Sequence, residues 1–339
     1  MTGIRRDVAI ATLALLLAAC NTYQNAMGGD GSGSAHFASL FTIFLVVTGI
    51  SYALVIGFLV AALLRRRRDR THAVESGTHH ETHPALRPAL IGWTAFILIG
   101  LTGLSFASFL TDRSDAQPPR EPQVSLKVTG KQWWWDIEYQ GSTPDLNLRT
   151  ANEIHLPVGV PIRIRLESQD VIHSFWVPNL GGKQDLIPGR VNDIKFTPRK
   201  IGLFRGQCAE FCGTQHANMA MVVQVESKDD FRRWWAAQLQ PAQPPTTPEA
   251  QAGYQFFTTH QCSSCHAISG TAAGGRIGPD LTHVASRRII AAGALPMSEG
   301  NLYGWVADPQ SQKPGTKMPT IPMNSQQLHS VVAYLKDLK

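Results

Sequence analysis

The sequence predicts a membrane-anchored multidomain protein: a two-helix transmembrane hairpin, a β domain of Greek-key type and a small all-α domain. Three observations predict it. Two apolar runs without a charged residue are each long enough to span a bilayer. Short β-branched segments punctuated by Gly, Pro and Asn follow, and a Pro-rich stretch separates them from two further helical segments. With 339 residues, 43% of them apolar, the chain has room for two ordinary domains beside the hairpin. Collagen, low-complexity disorder and a small disulfide scaffold are excluded.

Arg5-Arg6, an apolar run from Val8 to Leu17 and the small pair Ala18-Ala19 have the layout of an export signal over residues 1–19. Leu17-Ala18-Ala19-Cys20 resembles the lipobox of bacterial lipoproteins, which implies that Cys20 is lipidated; cleavage beside an incidental thiol is the alternative. Phe37 to Leu64 is uncharged and exceeds the roughly 20 residues that a spanning helix needs. Pro88 to Thr111 is a second such run, and Pro88 is tolerated in its first turn because the missing amide hydrogen has no helical partner there. Helices at about 37–64 and 88–111 therefore make a hairpin over 36–111. Arg65 to Arg68 and Arg70 adjoin the first run, and arginines beside a span mark the cytoplasmic side. The N-terminus and everything after residue 111 then lie on the periplasmic face of a bacterial inner membrane. The same cluster, five arginines against Asp69, carries most of the net charge of +6, so no nucleic-acid partner is implied. His79, His80 and His83 between the runs read as a solvated loop, with metal binding as the alternative.

Strand-like segments follow at Val124 to Val128, Trp134 to Tyr139, Pro161 to Leu166, Val171 to Val177, Val191 to Phe196, Leu203 to Gly206 and Met221 to Val225. Their spacing predicts an antiparallel sandwich or barrel. Set at strand ends are His173 and the run Cys208-Ala209-Glu210-Phe211-Cys212-Gly213-Thr214-Gln215-His216-Ala217-Asn218-Met219. Thiolate, imidazole and thioether ligands together suit copper electron transfer. One thiolate would make a mononuclear site. A second, four residues on, lets both sulfurs bridge two copper ions with one histidine terminating each. A closed zinc site and a Cys208–Cys212 disulfide are the alternatives, and zinc leaves Met219 unexplained.

A helical segment around Asp229 to Leu239 leads into the Pro-rich stretch Gln240 to Pro248, read as a semi-rigid linker. Beyond it, Cys262-Ser263-Ser264-Cys265-His266 is a covalent haem motif: two thiols add to the haem vinyl groups and the histidine binds iron. Pro248 to Thr259 and Ser325 to Leu338 read as two terminal helices, with Gly253, Phe256 and Tyr334 as contacts between them. Together with Gly278-Pro279-Asp280-Leu281 and Gly315-Thr316-Lys317-Met318-Pro319, the motif resembles a small class I cytochrome c. The resemblance implies Met318 as the sixth iron ligand, Met297 and Met323 being the alternatives, and the Pro279 carbonyl as acceptor for His266. His/Met ligation suits electron transfer rather than oxygen binding. The odd count of five cysteines then divides into one lipid anchor, two copper thiolates and two haem thioethers.

His173-Ser174-Phe175-Trp176-Val177-Pro178, Lys183-Gln184-Asp185-Leu186-Ile187-Pro188-Gly189-Arg190, the Cys208 to Met219 run, Gln132-Trp133-Trp134-Trp135 and the preceding hairpin together resemble cytochrome c oxidase subunit II. That resemblance covers about 36–228 and the cytochrome c one about 248–339, a fusion of the bacterial caa type. It implies a cupredoxin-like Greek-key β-barrel at 112–228, a helix and linker at 229–247 and an all-α cytochrome c domain at 248–339. It implies further that His173, Cys208, Cys212, His216, Met219 and the backbone carbonyl of Glu210 hold a dinuclear copper A centre, with the Glu210 side chain reaching a magnesium ion shared with subunit I. Trp133 matches the family's aromatic electron-transfer residue at the surface, and Asp185 and Arg190 match its face toward subunit I. The implied function is the respiratory reduction of oxygen to water with proton translocation, in a complex with subunit I and subunit III. The implied donor is a cytochrome c or a cytochrome bc-type complex. A copper A-containing nitric oxide reductase subunit and a free-standing electron-carrier lipoprotein are the alternatives; copper delivery is disfavoured by two bridging thiolates and a covalent haem. Two departures stand out. Three consecutive tryptophans replace the family's frequent Trp-Tyr-Trp, and Leu90 stands where many members have a glutamate, three residues before Trp93-Thr94. Proton uptake by that residue is not carried over.

Overall fold

The computed structural model describes residues 23–69, 86–116 and 123–339. The export signal, Cys20, the His79, His80 and His83 loop and the side chains of Arg66 to Arg70 lie outside the described residues.

Residues His36–Gln117 form one compact unit. It is built from α1 (Ser32–Asp69) and α2 (Leu86–Ala116), whose stretches Ser32–Arg65 and Arg87–Arg113 are long and apolar enough to cross a membrane. Apolar side chains stand out all around both, Phe58 at 70% and Ile99 at 73% exposure, a surface suited to lipid. The hydroxyls of Thr42, Thr48, Ser51 and Thr111 donate to carbonyls one turn back, so these helices meet their polar needs internally.

In the other unit, ten strands make two sheets: β1 (Val124–Lys131), β2 (Trp134–Gln140), β3 (Leu148–Ala151), β4 (Glu153–Pro157), β5 (Ile162–Ser168), β6 (His173–Trp176), β7 (Gln184–Leu186), β8 (Asn192–Phe196), β9 (Gly202–Cys208) and β10 (Ala220–Glu226). The sheet orders are β3-β2-β1-β5-β8 and β4-β10-β9-β6-β7. Alternation builds the core between them: Leu126 and Val128 of β1 and Ile162, Ile164 and Leu166 of β5 are fully buried, while Lys127, Arg163 and Arg165 lie on the other face. The antiparallel expectation needs correction, since β1 pairs with β5 and β4 with β10 in parallel. Neither parallel pair is consecutive in sequence; the intervening strands supply the crossover that parallel neighbours require.

Helix α3 (Lys228–Gln238), capped by the Ser227 side chain, lays Phe231, Trp234 and Trp235 around Tyr139 and closes one end of the barrel. The proline-rich stretch after it does not stand free as a spacer. The amide of Ala242 donates to Ser269, and His283 Nε2 faces the carbonyls of Gln238 and Gln240 at 3.2 and 3.1 Å.

The last part holds α4 (Pro248–Thr259), α5 (Cys262–Cys265), α6 (Glu299–Ala307), α7 (Pro309–Gln312) and α8 (Ser325–Asp337). Pro248 begins α4 after the Thr247 cap, and a reciprocal Asn324–Gln327 capping box begins α8. The two helices cross at Gly253, where a Cβ would lie 1.9 Å from the Ser330 carbonyl oxygen, so only glycine permits the approach. Phe256, Phe257, Val331, Val332, Tyr334 and Leu335 form the core there. Two apolar helices, a two-sheet β domain and a helical C-terminal part are the class the sequence predicts.

Candidate metal centre and haem cleft

Strand β6 delivers His173, the end of β9 delivers Cys208, and the loop returning to β10 delivers Cys212, His216 and Met219. Two sulfurs occupy the middle: Cys208 Sγ and Cys212 Sγ are 3.8 Å apart, and both thiols are free, so the disulfide alternative does not hold. Around Cys208 lie His173 Nδ1 at 3.8 Å and the Glu210 carbonyl oxygen at 3.2 Å. Around Cys212 lie His216 Nδ1 at 3.6 Å and Met219 Sδ at 3.8 Å. Each sulfur thus has one imidazole and one weaker donor beside it. Such a soft set fits two copper ions, and it gives the thioether a place that a closed zinc site would not. His173 and Met219 are fully buried, whereas the Glu210 side chain is exposed.

The surroundings prepare the donors. A Cβ at Gly130 would lie 2.7 Å from the His173 ring, so β1 can pass there only as glycine. His173 Nε2 donates to Asp170 Oδ1 at 2.9 Å, which leaves Nδ1 to face Cys208. Burial disfavours charge on His173, but hydrogen bonds to Cys208 and Asp170 outweigh it and raise its pKa. The Cys212 hydrogen bond, helped by His173, draws the Cys208 thiol down to about 3 against its burial, and the same contact pushes Cys212 up.

In the C-terminal part a cavity of about 270 Å³ is lined by Cys262, Cys265, His266 and Met318. His266 Nδ1 donates to the Pro279 carbonyl at 2.7 Å, as the sequence implies, so Nε2 is free for iron. Burial lowers its pKa and keeps the imidazole neutral. Met297 and Met323 pack against the hydrophobic core instead. Arg287 also lines the cavity; its Nε is buried with no hydrogen-bond partner among the described residues. A haem carboxylate would supply the anion this group lacks, so the cavity and its lining fit a haem.

Trp133 departs from the surface position expected of it. Its ring is 9% exposed and lines the haem cleft, while its Nε1 donates to the Cys212 carbonyl at 2.9 Å. The C-terminal part covers it: Gly315 approaches the Trp133 ring and Thr214, and Gln215 Nε2 donates to the Pro314 carbonyl at 2.8 Å. Asp185 lies on β7, paired with Ser174 beside His173, and Arg190 is exposed in the turn after that strand. Sequence reasoning missed Asp170, Arg287 and Lys313. Only Asp170 carries a local signal, an acid three residues before the histidine.

Residues 141–226 match the family described as cytochrome c oxidase subunit II, periplasmic domain, and residues 250–339 match cytochrome c. Cytochrome c oxidase subunit 2 of Alkalihalophilus pseudofirmus is 29% identical over 338 residues, covering 98% of this chain and 97% of that one. The same subunit of Bacillus sp. strain PS3 is 33% identical over 267 residues, 73% of each chain, and that of Bacillus subtilis is 27% identical over 349 residues, 97% and 96%. Fold and site define a membrane-anchored electron-transfer protein in which a cupredoxin-like domain, the class that carries copper A, is joined to a cytochrome c domain, the class that carries haem. The chain belongs to the cytochrome c oxidase subunit 2 family, in the form fused to cytochrome c. It is accordingly a component of an oxidoreductase, a haem-copper oxidase.

Proposed function

We propose that this chain takes electrons from a cytochrome c-type donor outside the cytoplasm, conducts them from its cytochrome c domain to its cupredoxin domain, and delivers them to oxidase subunit I. There oxygen is reduced to water with proton translocation. The observation that carries this reading is Trp133, which lines the haem cleft and hydrogen-bonds the copper loop at Cys212 with the same indole.

Cys262 and Cys265 would hold haem c as thioethers, with His266 and Met318 as the residues for its iron. His173, Cys208, Cys212, His216, Met219 and the Glu210 carbonyl would hold the two copper ions. Bound there, the two groups supply one-electron redox states of differing potential. The residues supply orientation and dryness: Asp170 and Pro279 fix the imidazoles of His173 and His266, and Met219, Cys212 and Trp133 are buried around the sites. By resemblance, the exposed Glu210 carboxylate reaches magnesium at the subunit I face, where Asp185 and Arg190 also lie. The hairpin at 36–111 anchors domains at 112–228 and 248–339 to the periplasmic side of a bacterial inner membrane, with Cys20 as a lipid anchor and subunit III as a further partner.

The test uses the complex solubilised from membranes with the full chain in it. Oxygen consumption driven by reduced cytochrome c supports the reading. Nitric oxide consumption without oxygen consumption assigns the chain to a nitric oxide reductase, and neither activity with no haem-bearing partner leaves a free-standing carrier.

A further inference from the structure

Lys313 is 2% exposed and lies between the two sites. It belongs to the cytochrome c domain, yet its ammonium donates to the carbonyls of Trp133 and Asn218 in the cupredoxin domain, both at 2.8 Å. A third bond, at 2.9 Å, goes to the carbonyl of Ala291. Three donors meeting three carbonyls use the full capacity of an ammonium group.

The three acceptors lie on segments that matter to both centres. Trp133 bridges the haem cleft and the Cys212 carbonyl, Asn218 immediately precedes Met219, and Lys313 opens the loop that ends at Met318. Backbone conformation at the contact is also unusual. Ala291 and Ala292 have φ of 52° and 56°, in the left-handed region that side chains disfavour, and the turn so formed presents the Ala291 carbonyl to Nζ. Burial makes the charge on Lys313 costly and pulls its pKa down to about 7, and an apolar side chain of similar length would fill the space more cheaply. What the lysine adds is direction.

We propose that Lys313 is a positioning residue for electron exchange between the two centres: its buried ammonium holds the Met318 loop in register with the Cys212–Met219 loop and Trp133. The inference rests on the reading of function given above.

The experiment uses the purified complex, with single-electron photoreduction of the haem followed by its reoxidation and the reduction of copper. Lys313→Met keeps an unbranched side chain one atom shorter and removes the donors. Reoxidation should slow by about tenfold or more, since small misplacements of reacting partners have effects of that size. The haem and copper absorption spectra should stay those of the wild type, while amides at 213–220 and 288–296 exchange deuterium faster. A rate within about twofold of wild type, with both spectra intact, overturns the proposal. A wild-type complex whose haem reoxidises without copper reduction overturns the functional reading instead, and that outcome appears before any substitution is made. Should the variant lose either spectrum, the wild type decides. Lys313 must resist an amine-acylating reagent that labels Lys317, whose side chain is 62% exposed, and equal labelling rates overturn the proposal.

Discussion

Asp170 and His173 are joined by a hydrogen bond of 2.9 Å from Nε2 to Oδ1, and the other carboxylate oxygen of Asp170 accepts from Lys317 Nζ at 3.2 Å. One carboxylate therefore touches a proposed copper ligand and the residue before a proposed haem ligand. Burial opposes its charge, but hydrogen bonds from the Gln132 amide, His173, the Val171 amide and Lys317 prevail and lower its pKa. Without this acceptor the imidazole is free to rotate or to change tautomer. Asp170→Ala should cost about 10–100-fold in copper affinity, the usual effect of losing such a partner. Competition with a copper chelator on the full chain reads it, and unchanged retention would show that His173 is oriented by its strand alone.

Arg287 offers a second expectation. Burial pulls its guanidinium below its ordinary 12.5, yet its Nε has no partner while a terminal nitrogen donates to the Asp280 carbonyl. A cation beside the haem favours the reduced iron and offsets a haem carboxylate. Arg287→Met removes both effects in the same direction, so the haem midpoint potential should fall, by about 59 mV for each tenfold change in a one-electron equilibrium. Redox titration of the haem absorption in the purified complex measures it, and an unchanged or raised potential excludes the contact.

The grouping of the proposed ligands was legible because metal chemistry dictates residue types at short spacings: Cys208 ends β9, Cys212, His216 and Met219 follow in the next loop, and Cys262, Cys265 and His266 lie within one turn. Seven strand segments were legible from alternation. Strands β3, β4 and β7 were not, because Leu148–Ala151, Glu153–Pro157 and Gln184–Leu186 are short and carry polar residues that tertiary pairing overrides. The burial of Trp133 and of Lys313 was illegible for another reason. Both depend on how two domains meet, across 180 residues of sequence, and no local pattern records that.

Gly253 carries a stability prediction. In Gly253→Ala the new methyl carbon would meet the Ser330 carbonyl at 1.9 Å and Tyr334 Cβ at 2.9 Å. A backbone oxygen inside a helix cannot rotate aside, so α4 and α8 must separate. Overpacking of this kind costs about 1–3 kcal/mol or more, against a gain in helix propensity of about 0.8–1 kcal/mol. The net effect should be a lower thermal midpoint for loss of the native haem absorption, and a midpoint at or above wild type would mean that the helix crossing is looser.

His155 gives a pH dependence whose sign follows from its partners. Its Nδ1 lies 3.1 Å from Glu226 Oε1 and its Nε2 3.0 Å from Glu153 Oε1, while its ring stacks on Trp234 at 4.2 Å. Burial works against the charge, but the two carboxylates more than compensate and raise the pKa above its ordinary 6.5. Glu153 also accepts from the Arg288 amide at 2.8 Å, which ties this cluster to the cytochrome c domain. The imidazolium is thus favoured by folding: its contribution is complete below pH 6.5 and is lost as pH rises through the folded value. A neutral ring keeps one N–H for two carboxylates, so one charge-assisted hydrogen bond disappears, worth roughly 1.5–3 kcal/mol. The thermal midpoint of the complex, followed by copper absorption from about pH 6 to 9, should therefore decline with pH in the wild type and flatten in His155→Gln. Equal slopes in the two proteins would show that the cluster carries no pH-dependent stability.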